Sequence, residues 1–275
     1  MNKADKYFVE IAEELLKKEN STENEKVRPK YEDGTPAHTY FTTHKVFQYD
    51  LEKGEFPLLT LRPTAWKSAI KEVLWIYQDQ TSELEVLRDK YGITWWDSWD
   101  IGDDTIGVRY GETVAKYGLI DDLIKGLKEE PYTRRHIMNL YQYQDFNETK
   151  GLYPCAFMTM WSVRSGKLDM TLIQRSSDFP VAGHINETQY VALQMMIAKA
   201  VGLEVGKFTH YIENVHIYDR HLEQVQEMLN RNPSDKTPKL VLNTDKTDFY
   251  SFTIDDFEVV DYEPVRPQLK FELGI

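Results

Sequence analysis

Cys155 is the only cysteine in the 275 residues, and it stands in Gly-Leu-Tyr-Pro-Cys-Ala at the entrance to a strand-like run. A thiol becomes a nucleophile when a nearby cation favours its thiolate. Arginines are available. Arg134 and Arg135 precede the apolar run 136–140, and Arg175 ends another in Gln-Arg-Ser-Ser-Asp, residues 174–178. Several forked guanidinium groups, together with a hydroxyl such as Ser176, suit a phosphate. A buried thiol packed as a small hydrophobe, with arginines solvated at strand ends, has the same appearance in sequence, so both readings stand here.

Four other residues carry possible chemistry. Glu72 lies in a run that is apolar nearly all round, and burial there would raise its pKa and suit it to moving protons; a rim residue beside Lys71 is the alternative. Asn186 precedes a long apolar helix, with Gln189 three residues on. That is the pattern of an N-cap with its capping-box partner, but one Asn amide also pairs donor and acceptor with a uracil-like edge. His216 and Tyr218 share one strand face and suit hydroxyl recognition, as a core Tyr and a satisfied His would too. No P-loop, Gly-x-Gly-x-x-Gly, His-Glu-x-x-His or Cys/His metal spacing is present, and no metal is expected.

The positioning elements follow from periodicity. Helices are expected over 4–18, 64–79, 81–90, 117–129, 187–201 and 219–230. Strands are expected over 40–49, 156–163, 167–175, 207–218, 239–242 and 257–261, with Ser165-Gly166 turning the second into the third as a hairpin. Strands and helices are mixed without regular βαβ spacing. The expected class is α+β, one domain over 1–275, with a large mixed sheet covered by helices.

Composition bounds the partners. Against 45 Asp+Glu there are 33 Lys+Arg, a formal charge of −12 that disfavours non-specific nucleic-acid binding but leaves room for a local anion site. With 17 Tyr, 12 Phe and 6 Trp, disorder is excluded as the dominant state, and one cysteine excludes an intrachain disulfide framework. No apolar run approaches the ~18 residues a membrane span needs. The charged start, MNKADKYFVEIAEELLKKE, has no apolar signal core, so the cytoplasm is the expected compartment.

Taken in order, these pieces resemble the folate-dependent thymidylate synthase family over nearly the whole chain. The resemblance runs through KEVLWIYQ (71–78), ITWWDSW (93–99), IGVRYG (106–111), RRHIMNL (134–140), YPC (153–155), QRSSD (174–178), Asn186, HIY (216–218) and DFYSFTIDDFEV (248–259). It implies dUMP as substrate and 5,10-methylenetetrahydrofolate as cosubstrate. Cys155 would add to C6 of the pyrimidine, turning C4–C5–O4 into an enolate so that C5 can accept a carbon. Arg28, Arg134, Arg135, Arg175 and Ser176 would hold the phosphate, Asn186 would read the uracil edge, and His216 and Tyr218 would hold the 3′-hydroxyl. Glu72 would organise proton transfer and Tyr110 would assist loss of the C5 proton. Asp178, Trp96 and Trp99 would line the folate side, with the Ile275 terminus closing over both ligands. The resemblance also implies a homodimer with sheets back to back, Arg134 and Arg135 serving the partner's site.

Departures from the family pattern are Ala156 after the cysteine where His is usual, Val181-Ala182-Gly183-His184-Ile185 before Asn186, Asn214 in place of an aspartate, and a longer loop around Arg28. A dUMP or dCMP hydroxymethylase of the same fold is the nearest alternative, and a non-catalytic nucleotide-binding module is another.

Overall fold

A computed structural model describes residues 1–146 and 151–274. The chain opens with α1 (Lys3–Leu15), β1 (Thr39–Asp50), α2 (Trp66–Leu74), α3 (Leu84–Tyr91), α4 (Gly111–Lys116) and α5 (Leu119–Glu129). Next come β2 (Ile137–Asn139), α6 (Tyr143–Phe146), β3 (Ala156–Arg164) and β4 (Lys167–Asp178). Then α7 (His184–Ala200), β5 (Glu204–Tyr218), α8 (Leu222–Asn230), β6 (Lys239–Leu242) and β7 (Phe257–Val260) complete it.

Five strands form one sheet in the order β1-β5-β4-β3-β2. Only β4 and β5 run parallel, joined by the crossover helix α7; the other neighbours are antiparallel. A parallel pair needs such a crossover, whereas β3 and β4 are joined by the Ser165-Gly166 turn, both at positive φ. The sheet is therefore mixed, as expected; β6 and β7 make a separate two-stranded ribbon.

Alternation sets the layers. Leu168, Met170 and Leu172 of β4 and Phe208 and Ile212 of β5 are buried with Phe47 and Tyr49 of β1. They belong to one apolar cluster that reaches from Ala4 in α1 to Phe257 in β7. Helix α7 is buried on almost every side, which explains its blurred amphipathic period. Other sheet residues are exposed and apolar: Val46, Ile137 and Met160, the last two directly paired across β2 and β3.

Two boundaries differ from periodicity. The helix expected over 64–79 is α2 followed by a π-helical turn, Trp75–Asp79, ended by Gln80 at φ 53°. The helix expected from 187 starts at His184, because another π-helical turn, Phe179–Gly183, feeds into it. Asn186 therefore lies inside the first turn and caps nothing; Gly183 holds the N-cap position. The cap interpretation of Asn186 is corrected accordingly.

Candidate active site

The hairpin register builds the thiol site. Ala156 pairs with Gln174, and the Arg175 N–H donates to the Cys155 carbonyl at 2.9 Å, so the two side chains emerge side by side at the sheet's end. Arg175 Nε donates to the Pro154 carbonyl at 3.0 Å and Nη2 to that of Tyr153 at 2.6 Å. Nη2 also lies 3.6 Å from Cys155 Sγ. Burial pushes the thiol up, and the charges of Arg175 and then Arg28 oppose it without fully reversing it. Arg28 is itself exposed, yet its field reaches both Cys155 and Tyr218, which places it on this side of the molecule.

Tyr110 holds the backbone of Cys155. Its hydroxyl accepts the Cys155 N–H at 3.0 Å, and its ring packs on Trp96. Tyr110 sits at φ 48°, a costly backbone position for a non-glycine residue. The following Gly111 explains how it is maintained: a Cβ there would meet the Thr81 carbonyl at 2.2 Å, so the chain must pass with no side chain.

Glu72, on α2, is buried, and its pKa is pushed up by that burial to about 7. Trp95 Nε1 donates to its carboxyl at 2.5 Å, and the Gln189 and Trp96 side chains also favour the ionised form. The indole of Trp96 and the amide nitrogen of Gln189 are otherwise buried without a hydrogen-bond partner in the described residues. Tyr110 feels both the Cys155 and Glu72 charges, so the three form one electrostatic cluster.

Asn186 faces the same end of the sheet. Its Oδ1 accepts from Gln174 Nε2 at 3.1 Å and its Nδ2 donates to Gln189 Oε1 at 3.0 Å. On β5, His216 Nδ1 is 2.8 Å from Asn214 Oδ1, so the asparagine engages this histidine directly. The His216 ring packs edge-on against Tyr218, whose hydroxyl donates to the Gly274 carbonyl at 3.2 Å. The C-terminal tail thus already lies over Tyr218; Ile275 is outside the described residues.

Asp178 ends β4 with Oδ1 3.6 Å from His221 Nδ1 and without a hydrogen bond. Burial lowers the His221 pKa, but Asp178 outweighs it and the net direction is upward. Trp96 is buried, and half-buried Trp99 packs on it at 5.4 Å. Ser176 is half-buried next to Arg175. Arg134 and Arg135 are exposed just before β2, and among the described residues neither makes a hydrogen bond or ion pair within the chain. The single chain does not bring them to Cys155.

Some contributors escaped the sequence reading. Trp95, not Trp96 or Trp99, makes the close indole hydrogen bond to Glu72. Arg62, a buried guanidinium, donates to the Pro180 and Val181 carbonyls and so holds the turn leading into α7. Gln174, inside the Gln-Arg-Ser-Ser-Asp stretch, was available as a signal.

The family model described as "Thymidylate synthase" matches residues 6–275. The chain belongs to the thymidylate synthase family. Thymidylate synthases of Lactococcus lactis subsp. lactis (strain IL1403) and Streptococcus pneumoniae (strain 70585) are 55% and 56% identical to it, over 100% of this chain and of each relative. Among solved structures, thermostable thymidylate synthase A from Bacillus subtilis superposes with a TM-score of 0.90 at 35% identity, covering 98% of this chain and 99% of that one. Membership agrees with the mixed sheet and with a methyltransferase that depends on folate.

Proposed function

We infer that this chain converts dUMP to dTMP by reductive methylation and that Cys155 is its nucleophile. The observation that carries the reading is the clustering of one thiol, one guanidinium, one tyrosine hydroxyl and one raised carboxyl: Arg175 3.6 Å from Sγ, and Tyr110 coupled to both Cys155 and Glu72.

In this reading the phosphate enters beside Arg175, Arg28 and Ser176, which brings negative charge to a cationic rim and holds the base against Cys155. Sγ adds to C6, and the electron pair moves onto C5 and O4. Asn186 donates to O4 and accepts from N3–H. Glu72, poised near neutrality, passes protons at the base, and Tyr110 assists removal of the C5 proton. His216 and Tyr218 hold the deoxyribose. 5,10-Methylenetetrahydrofolate supplies one carbon and a hydride and leaves as dihydrofolate, and Sγ leaves C6 as the C5–C6 double bond re-forms. The chain fits that ligand: the Trp96–Trp99 rings offer a stacking surface, Trp96 Nε1 is a buried donor, and Asp178 Oδ1 at the end of β4 is a buried acceptor that makes no hydrogen bond among the described residues.

The same reading makes the protein a two-fold dimer through the sheet, because Val46, Ile137 and Met160 expose apolar surface and Arg134 and Arg135 stand at its margin. The arginines would then reach the partner's phosphate. Among the described residues no helix is long and apolar enough to cross a membrane; we read the compartment as the cytoplasm and the chain as one catalytic domain.

The test is dihydrofolate formation from dUMP and methylenetetrahydrofolate, with the nucleotide product weighed. A methyl product that disappears in Cys155→Ser supports the reading. A hydroxymethyl product assigns the hydroxymethylase reaction instead, and absence of any turnover by the unaltered protein sinks both.

A further inference from the structure

We propose that the buried Glu187–His210 pair acts through Gln174 to fix the direction of the Asn186 amide, and thereby selects uracil over cytosine. This rests on the reading that Asn186 contacts the base.

Glu187, beside Asn186 on α7, is fully buried. Its carboxyl oxygens are 3.0 Å from His184 Nδ1 and 3.3 Å from His210 Nδ1, and Tyr49 Oη lies 3.4 Å away. Burial raises its pKa, but the two histidines outweigh that and hold it below the ordinary range. A buried ion pair contributes little to stability compared with packed hydrophobes. It does impose hydrogen-bond polarity on whatever it touches.

The polarity runs outward. His210 Nε2 is 2.9 Å from Gln174 Oε1. The other end of that amide lies 2.9 Å from the Ser176 carbonyl and 3.1 Å from Asn186 Oδ1. A carbonyl only accepts, so the Gln174 nitrogen must face Ser176 and its oxygen must face His210. His210 must then donate from Nε2. The Glu187 carboxylate also only accepts, so the ring donates from Nδ1 as well and carries a proton on each nitrogen. The second N–H of Gln174 dictates that the oxygen of Asn186 turns towards it. Gln189 Oε1 accepts from Asn186 Nδ2 on the other side.

By valence, Asn186 keeps one N–H and one lone pair for a ligand. Uracil presents N3–H and O4, which match that order. Cytosine presents a bare N3 and an amino group, which match the same amide turned over. Turning it would set the Gln174 and Asn186 NH2 groups face to face, and Asn186 Oδ1 against Gln189 Oε1, unless Gln174 turned too, and Gln174 is held by Ser176 and His210. His210 and Glu187 are therefore positioning residues, separated from the base by two and three side chains respectively.

The experiment measures dUMP and dCMP dissociation constants by calorimetry for the full-length protein, His210→Leu and His210→Gln. Leu removes the donor to Gln174. Gln places an amide N–H near the former Nε2 position and restores it. The preference for dUMP over dCMP should narrow at least tenfold in His210→Leu and return to within about threefold of the starting value in His210→Gln. Equal loss of both nucleotides in His210→Leu, or an unchanged ratio, overturns the proposal. So does failure of His210→Gln to restore selectivity if it is folded. Should either variant not fold, ¹⁵N spectra of the unaltered protein decide: a protonated Nε2 on His210 supports the relay and a bare Nε2 overturns it. If the unaltered protein does not bind dUMP, the functional reading itself fails, an outcome separate from any change in selectivity.

Discussion

The Arg175 guanidinium donates to the carbonyls of Tyr153 and Pro154, the two residues before Cys155, and comes within 3.6 Å of its Sγ. The arginine thus builds the loop that presents the thiol and also opposes the burial that holds it protonated. Arg175→Gln should slow iodoacetamide alkylation at neutral pH and move its midpoint to higher pH, with Arg28→Gln acting in the same direction more weakly. Cys155 is the sole cysteine, so the alkylation signal has one source. Turnover should fall about 100-fold in Arg175→Gln, since a charge-assisted contact to phosphate is lost too. Unchanged alkylation would show that Arg175 supports the loop only.

Glu72 gives a pH dependence of defined sign. Its carboxyl is raised by burial from 4.5 to about 7, so between those values the folded protein binds more protons than the unfolded chain. Stability from this group is full below pH ~4.5 and is lost as pH rises towards 7, on the order of 3 kcal/mol in all. Glu72→Gln should flatten the fall in Tm across that window and reduce turnover by about 100-fold or more. Trp95→Phe removes a donor to the ionised form and should move the acid limb of the pH–rate profile to higher pH. A Glu72→Gln protein with the same Tm slope would mean that other groups dominate the window.

Much of this arrangement is legible in sequence wherever local pattern decides it. Leu168, Met170 and Leu172 alternate, so β4 is readable, and its register with β3 brings Cys155 to Arg175. Asn186 was readable as a residue but not as a place. The π-helical turn at Phe179–Gly183 has no sequence period of its own, so α7 begins earlier than its apolar pattern suggests. Three tryptophans within five residues cannot say which one turns to Glu72; packing against Trp75 and Tyr110 sends Trp96 inward and leaves the bond to Trp95. Glu187 and His210 lie 23 residues apart on different elements, and only the sheet–helix contact joins them.

Asn186→Asp separates base reading from helix support. Asn186 does not cap α7, so its replacement should cost little stability. A carboxyl at this position accepts from the cytosine amino group and, when ionised, repels uracil O4. It also keeps an acceptor for Gln174 Nε2. The ratio of dCMP to dUMP processing should rise at least tenfold, measured as turnover of each nucleotide side by side. Equal loss with both substrates would assign Asn186 to the internal amide network alone.

Shared sites make the last prediction. Arg134 and Arg135 are exposed and unengaged within the described chain, next to the apolar pair Ile137 and Met160. If that surface joins a second copy about a two-fold axis, each arginine pair serves the opposite site. Arg134→Glu/Arg135→Glu chains and Cys155→Ser chains should each be inactive alone. In a mixed dimer one site inherits both defects, while the other combines intact Cys155 with intact arginines from its neighbour. Random pairing makes half the dimers mixed, so co-refolding equal amounts should restore about a quarter of the original dihydrofolate formation. Chains refolded apart and then combined without subunit exchange should stay inactive. Mixed dimers that form, as shown by mass, yet remain inactive would place the arginines in their own subunit's site and remove the shared-site reading.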